Sequence, residues 1–276
     1  MPCTRGVMDN RKKEPQRIAK WLARAGVASR RGVERLIEAR KVQVNGKVLE
    51  SPAFLVTGAE DIRVEGKKIG PHEPPRLWRY AKPRGLITTT RDPERRPSVF
   101  DKLPKELPRV ISIGRLDINT EGLLLLTNDG ELARQLELPA TGWTRRYRVR
   151  AFGEVTQERL DKLKDGMRVD GVKYGPITAV LEKKQGDNVW LTMVLREGKN
   201  REIKKVLEAL GLKVNRLIRT SYGPFTLTGL ETGGIVEVPR KILRDQLGPL
   251  WSEKLKPPPR RGPAGKKRHA HRRRKP

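Results

Sequence analysis

Four consecutive leucines, Leu123 to Leu126, stand between Gly122 and Thr127. No other purely aliphatic run in the chain is as long. A short apolar run with a glycine before it and polar residues after it reads as a buried strand. It falls far short of the roughly 18 apolar residues that cross a bilayer. Asn128 or Asp129 can then cap a helix running to about Leu136. Ahead of the strand lies a polar loop with Arg115, Asp117, Asn119 and Thr120. A bare aspartate in such a loop is ordinarily a turn or cap residue, so the loop by itself assigns no chemistry.

Charge narrows the partners. Of 276 residues, 61 are Lys or Arg and 32 are Asp or Glu, a net charge of +29. Clustered cations gain affinity for phosphate by releasing counterions, which points to nucleic acid. With no membrane span and no signal-like apolar stretch at the polar start Met1 to Gln16, a cytoplasmic protein is expected. Cys3 is the one cysteine, which excludes an internal disulfide and a cysteine zinc site. The histidines, His72, His269 and His271, lie in a Pro-rich stretch and in the tail. Histidine triads and histidine-held metals are thereby disfavoured, and no metal is expected. Chemistry falls to Asp, Glu, Lys, Arg, Tyr, Ser or Thr.

Composition divides the chain into an arm (1–15), a compact unit (16–69), a Pro-containing linker (70–76), a large unit (77–250) and a basic tail (251–276). From Lys254 onward there is no acid, so the tail is expected to be disordered and to add an electrostatic RNA contact. In the compact unit, Ile18, Trp21, Leu22 and Ala25 follow helical spacing, and Gly26 ends the helix. Ser29 can cap a second helix with Val33, Leu36 and Ile37 inward. Val42 to Val44, Asn45-Gly46 and Lys47 to Leu49 read as a tight hairpin. Arg17, Lys20 and Arg24 recur off the apolar face of the first helix, and Arg30, Arg31 and Arg35 do so on the second. Two adjacent helices presenting such cations suit a phosphate backbone. In the large unit, Tyr80 and the run Leu86 to Thr90 suit a strand pair broken by Pro83 and Gly85.

Residues 16 to about 65 resemble the small RNA-binding domain named after the fourth ribosomal small-subunit protein, through Arg17 to Arg31 and Val42 to Val48. Gly114-Arg-Leu-Asp117, with Thr120, Gly122 and the leucines, is similar to the signature motif of pseudouridine synthases of the RsuA/RluB branch. Three further segments follow in that family's order: Tyr80 to Gly85, Arg145 to Val149, and Glu197 to Lys205. Asn200-Arg201-Glu202 favours the RluB-type large-subunit enzymes, whereas many relatives in the family have His-Gln at positions matching Arg201 and Glu202.

The resemblance implies an α+β fold: a small helix-hairpin RNA-binding domain plus a catalytic domain with a mixed, mainly antiparallel sheet. It implies isomerisation of a flipped-out uridine in ribosomal RNA, preferentially of the large subunit; that reaction adds no group and so needs no cofactor, and a monomer is expected. Asp117 would be the nucleophile, Lys204 its paired cation, and Tyr147 the stacking residue able to help remove the proton from carbon 5. Arg115, Lys82, Lys199 and Arg201 would serve substrate or RNA binding. A carboxylate suits the task, since it can attack the base or the sugar and later leave. The competing readings are a silent RNA-binding assembly factor, a synthase for small-subunit RNA, and a hydrolase using Asp117. Retention of Asp117, Tyr147 and Lys204 argues against the first, and the RNA-binding unit against the last.

Overall fold

The computed structural model describes residues 14–248 apart from 91, 139 and 140. Most of the expected arm, all of the expected tail, and Cys3, His269 and His271 lie outside the described residues.

The first unit opens with β1 (Gln16–Arg17), α1 (Ile18–Arg24) and α2 (Arg30–Glu38). Ile18, Trp21 and Leu22 of α1 pack on Val33 and Ile37 of α2, as their spacing dictates. Ser29 caps α2 by accepting the Gly32 N–H at 3.0 Å. The hairpin of β2 (Val42–Val44) and β3 (Lys47–Val48) turns through Asn45 and Gly46, both at positive φ. The strand β4 (Leu55–Val56) pairs with β1, while β5 (Ile62–Val64) and β6 (Lys67–Lys68) extend the hairpin into a four-stranded sheet.

The second unit contains β7 (Leu77–Lys82), β8 (Ile111–Ile113), β9 (Thr120–Thr127) and α3 (Gly130–Glu137). Next come β10 (Arg145–Phe152), α4 (Gln157–Asp161), β11 (Met167–Val169) and β12 (Val172–Tyr174). The chain continues through β13 (Ile177–Gln185), β14 (Asn188–Leu195), α5 (Glu202–Ala209) and β15 (Lys213–Tyr222). It closes with β16 (Phe225–Thr226), β17 (Ile235–Glu237) and α6 (Arg240–Leu247). The sheet runs β13-β14-β10-β15-β9-β7-β17, with β8 added on β9 and β16 on β15. Within it β9 and β15 run parallel and every other pairing is antiparallel, the mixed sheet that was expected.

The leucine run shows why β9 is central. Leu124 and Leu126 join the core beneath α4 and α5, whereas Leu123 and Leu125 join the core beneath α3 and α6. A strand covered on both faces needs no polar alternation, and each buried leucine contributes roughly 1.5–3 kcal/mol. Gly122 (φ +98°) permits the parallel contact, since a Cβ there would lie 2.3 Å from the Arg219 carbonyl oxygen.

One expectation is corrected. Leu86 to Thr90 is not a strand, and only an isolated bridge links Ile87 to Ser98. The segment's polar groups are shared between two neighbours: the Thr88 hydroxyl donates to the Leu116 carbonyl at 2.9 Å, while the Ile87 N–H donates to the Pro97 carbonyl at 3.0 Å and the Ile87 carbonyl accepts from Val99 at 2.9 Å. The two units also meet directly, away from residues 70–76. Arg24 pairs with Asp129 at 2.7 Å, and Lys20 pairs with Glu131.

Candidate active site

Asp117 sits in the loop between β8 and β9. Lys82, at the end of β7, organises that loop from below. The residue is 1% exposed, and the three N–H groups of its ammonium are shared among the carbonyls of Pro83 (3.0 Å), Asp117 (3.2 Å), Ile118 (3.3 Å) and Thr120 (2.9 Å). Burial pulls Lys82 down from 10.5 to about 8, although Asp117 and Glu121 favour its charge. Thr88 holds the loop from the side, accepting the Leu116 N–H as well as donating to its carbonyl. Glu137 of α3 accepts the Gly114 N–H at 2.6 Å. The aspartate backbone is thus fixed before any substrate arrives, which is what a site of defined geometry requires. Lys82 is too deeply enclosed for the RNA-contacting role that the sequence had suggested.

The carboxylate side is set by α5. Lys204 Nζ lies 3.3 Å from Asp117 Oδ2, and the Arg201 guanidinium is 3.9 Å from the same oxygen. Helix α5 begins where Arg201 takes a left-handed backbone (φ 51°), and Ile203, Val206 and Leu207 anchor it in the core. That anchoring turns Lys204 toward the loop, so the expected pairing of Lys204 with Asp117 is present in the geometry.

Tyr147 lies on β10, in register with Met193 on one side and Arg219 on the other. It lines the same cavity as Asp117, Arg115, Lys204 and Leu217, a space of about 1000 Å³. Arg115 stands exposed on the rim of this cavity. Lys199 is also on the rim, but its ammonium is taken by the Lys173 carbonyl and by Glu197.

Of the cations assigned to the small unit, Arg17, Arg30, Arg31 and Arg35 are exposed. Lys20 and Arg24 are not open to a phosphate, because Glu131 and Asp129 hold them. Their helical spacing could not show which face would meet the second unit.

Sequence reasoning missed Arg219, Tyr222 and Arg145. Arg219 is buried on β15, donates to the Leu123 carbonyl at 2.7 Å, and stacks 5.1 Å from the Tyr222 ring centre. Tyr222, raised by its burial, donates to the Leu136 carbonyl at 2.9 Å and accepts from Arg145 at 3.0 Å. The available signal was period two: Leu217 and Arg219 occupy the same face of their strand.

Residues 76–209 match the sequence model of the family described as RNA pseudouridylate synthase, and residues 16–62 match the S4 domain. A protein of Rickettsia felis, described as an uncharacterized RNA pseudouridine synthase, is 49% identical over 228 residues, covering 83% of this chain and 99% of its own. The ribosomal large subunit pseudouridine synthase B of Escherichia coli (strain K12) is 42% identical over 230 residues, 81% of this chain and 79% of its own. A crystal structure of a pseudouridylate synthase aligns with a TM-score of 0.58 at 26% identity, over 83% of this chain and 99% of that one.

Proposed function

The chain belongs to the RNA pseudouridylate synthase family, and we propose that it converts one uridine of large-subunit ribosomal RNA to pseudouridine with Asp117 as nucleophile. In this reading residues 77–250 carry the chemistry and residues 16–69 hold the RNA, in a cytoplasmic monomer. The observation that carries it is the Asp117 carboxylate, 3.3 Å from Lys204, in a cavity that Tyr147 also lines. The large-subunit assignment leans on the likeness to the Escherichia coli enzyme of that name.

The reaction conserves composition. The bond from ribose C1′ to base N1 breaks, a bond from C1′ to C5 forms, C5 loses a proton, and N1 ends with one. No electrons are exchanged with a third party and no group is added, so acid–base and nucleophilic groups of the protein suffice. Asp117 forms a transient bond to the sugar or the base and is released when the new carbon–carbon bond is in place. Lys204 orients the carboxylate and faces its charge, and Arg201 adds a weaker field from the rim.

Tyr147 receives the uracil by stacking, and its hydroxyl serves removal of the C5 proton. The uridine reaches the cavity by leaving its own stack, which costs a few kcal/mol. Stacking on an aromatic ring returns about 1–3 kcal/mol, and phosphate contacts from the exposed cations Arg17, Arg30, Arg31 and Arg35 supply more. Arg115 holds the extruded nucleotide at the rim.

The test is tritium release from large-subunit RNA labelled at uracil C5, with RNA affinity measured in parallel. Wild type should release label, and Asp117→Asn should release none while binding RNA with unchanged affinity. Release by Asp117→Asn at more than about a hundredth of the wild-type rate would remove Asp117 as nucleophile. Release from small-subunit RNA alone would overturn the choice of substrate.

A further inference from the structure

Two glutamates bracket the turn that joins β14 to α5, and both line the active-site cavity. Glu202 is 3% exposed. Its Oε2 accepts the Lys199 N–H at 2.9 Å, but its Oε1 is buried with no donor among the described residues. Glu197 accepts the Gly175 N–H at 2.6 Å and the Lys199 ammonium at 2.8 Å. The two carboxyl groups lie within hydrogen-bonding reach of each other.

A buried carboxylate oxygen without a donor is unfavourable, and a second carboxylate beside it adds repulsion. One proton removes both difficulties. Placed on Glu202 Oε1 it donates to Glu197, while Oε2 keeps the Lys199 N–H. We infer that Glu202 is a positioning residue that carries this proton during turnover, so that the 197–202 turn stays closed and holds Arg201 and Lys204 against Asp117. The inference rests on the reading of Asp117 as nucleophile.

The surroundings agree. Burial pushes Glu202 up to about 7; the Lys199 N–H opposes the rise and Glu197 adds to it. Burial would raise Glu197 as well, but the bonds from Gly175 and Lys199 outweigh it and leave that group lowered. Lys199, which also lies over the Tyr174 ring, is the cation that acts on Glu202. On α5, Arg201 and Lys204 are directed at Asp117. From the strands that pack on α5, Arg168 turns to the Gly171 carbonyl, Arg216 pairs with Glu121, and Arg219 bonds Leu123. The turn itself is tight: the Glu202 N–H donates to the Lys199 carbonyl at 3.2 Å, directly after the left-handed Arg201.

The test is the isomerisation rate of the full chain on saturating ribosomal RNA between pH 5.5 and 9, for wild type and Glu202→Gln. Glutamine presents an N–H to Glu197 and an oxygen to Lys199 at every pH. Wild type should lose at least about tenfold in kcat from pH 6 to pH 9, with its midpoint near the Glu202 value of about 7. Glu202→Gln should match wild type within about twofold at pH 6 and lose less than about threefold over the same range. The same alkaline loss in the variant would overturn the inference, and so would a folded variant that is slow at every pH.

Melting gives an independent reading. A group raised in the folded state contributes stability that is present below its unfolded value and is lost as pH climbs to the folded one. For Glu202 that window runs from 4.5 to about 7. The melting temperature of wild type should therefore fall against that of Glu202→Gln across this window and keep a constant gap above it. A gap independent of pH would overturn the buried proton. Both proteins retain Asp117, so a failure of the nucleophile assignment shows in Asp117→Asn and leaves this comparison intact.

Discussion

Arg24 of α1 reaches Asp129 at 2.7 Å, and Asp129 is also the residue that caps α3, accepting the N–H groups of Glu131 and Leu132. One carboxylate therefore fixes the start of a helix in the large unit and anchors the small unit against it. The side chains of Arg24 and Asp129 are 11% and 3% exposed, so water screens this pair little. Lys20 and Glu131 repeat the contact one turn away.

Removing the cation should show that Arg24 joins the units and does not meet RNA. Breaking a buried pair from one side costs about 3–5 kcal/mol, reduced here because Asp129 keeps its cap bonds. Arg24→Ala should lower the unfolding free energy in urea by about 2–3 kcal/mol and speed proteolysis at residues 70–76. The salt slope of RNA binding should stay unchanged, whereas Arg30→Ala and Arg31→Ala should each reduce it by about 1. A reduced slope for Arg24→Ala would return that side chain to the RNA surface.

Lys204 and Arg201 face the same carboxylate oxygen but should not count equally. Lys204 lies 3.3 Å away and is 16% exposed, while Arg201 lies 3.9 Å away and is 54% exposed. Solvent screens the second pair much more. Lys204→Met should lower kcat by about 10²–10³, with KM for RNA within about threefold. Arg201→Met should lower kcat by less than about tenfold. Single-turnover rates at saturating RNA compare them, and equal losses would contradict the ranking.

Lys82 carries a stability signature that runs opposite to that of a surface lysine. Its folded value, about 8, lies below the ordinary 10.5. Between those limits the unfolded chain binds more protons than the folded one, so stability should rise with pH. Measured against Lys82→Met, wild type should gain up to about 3 kcal/mol from pH 8 to pH 10.5. Lys82→Met should be the less stable protein throughout, since it removes the buried ammonium that four carbonyls share. Urea unfolding at three pH values checks the sign, and a difference that shrinks with pH would refute it.

How far the sequence was legible follows from the range of each signal. Local signals held: the Ser29 cap, the Asn45-Gly46 turn and the buried leucine strand depend on neighbours a few residues away. The motif order also brought Lys204 to Asp117 across 87 positions. What stayed hidden depends on packing between distant elements. Nothing near Arg24 announces Asp129, and nothing near Lys82 announces four carbonyls. Leu86 to Thr90 has the composition of a strand, yet Thr88 is drawn to Leu116 of the Asp117 loop and Ile87 to Pro97 and Val99, and tertiary context overrides β propensity there.

Tyr147 separates two duties that one side chain can hold, since its ring and its hydroxyl are removable one at a time. The ring lies on β10 between Met193 and Arg219, buried on the strand face that meets the cavity. Tyr147→Phe keeps the ring, so RNA affinity should stay within about threefold of wild type. Without the hydroxyl, release of the C5 proton should slow by about 10²–10⁴. Tyr147→Leu loses stacking as well, and its affinity should fall by a further 1–3 kcal/mol, roughly 5- to 150-fold. Filter binding and tritium release on the same RNA give both quantities. Wild-type turnover by Tyr147→Phe would leave Tyr147 a stacking role alone, and the C5 proton would then need another acceptor in the cavity.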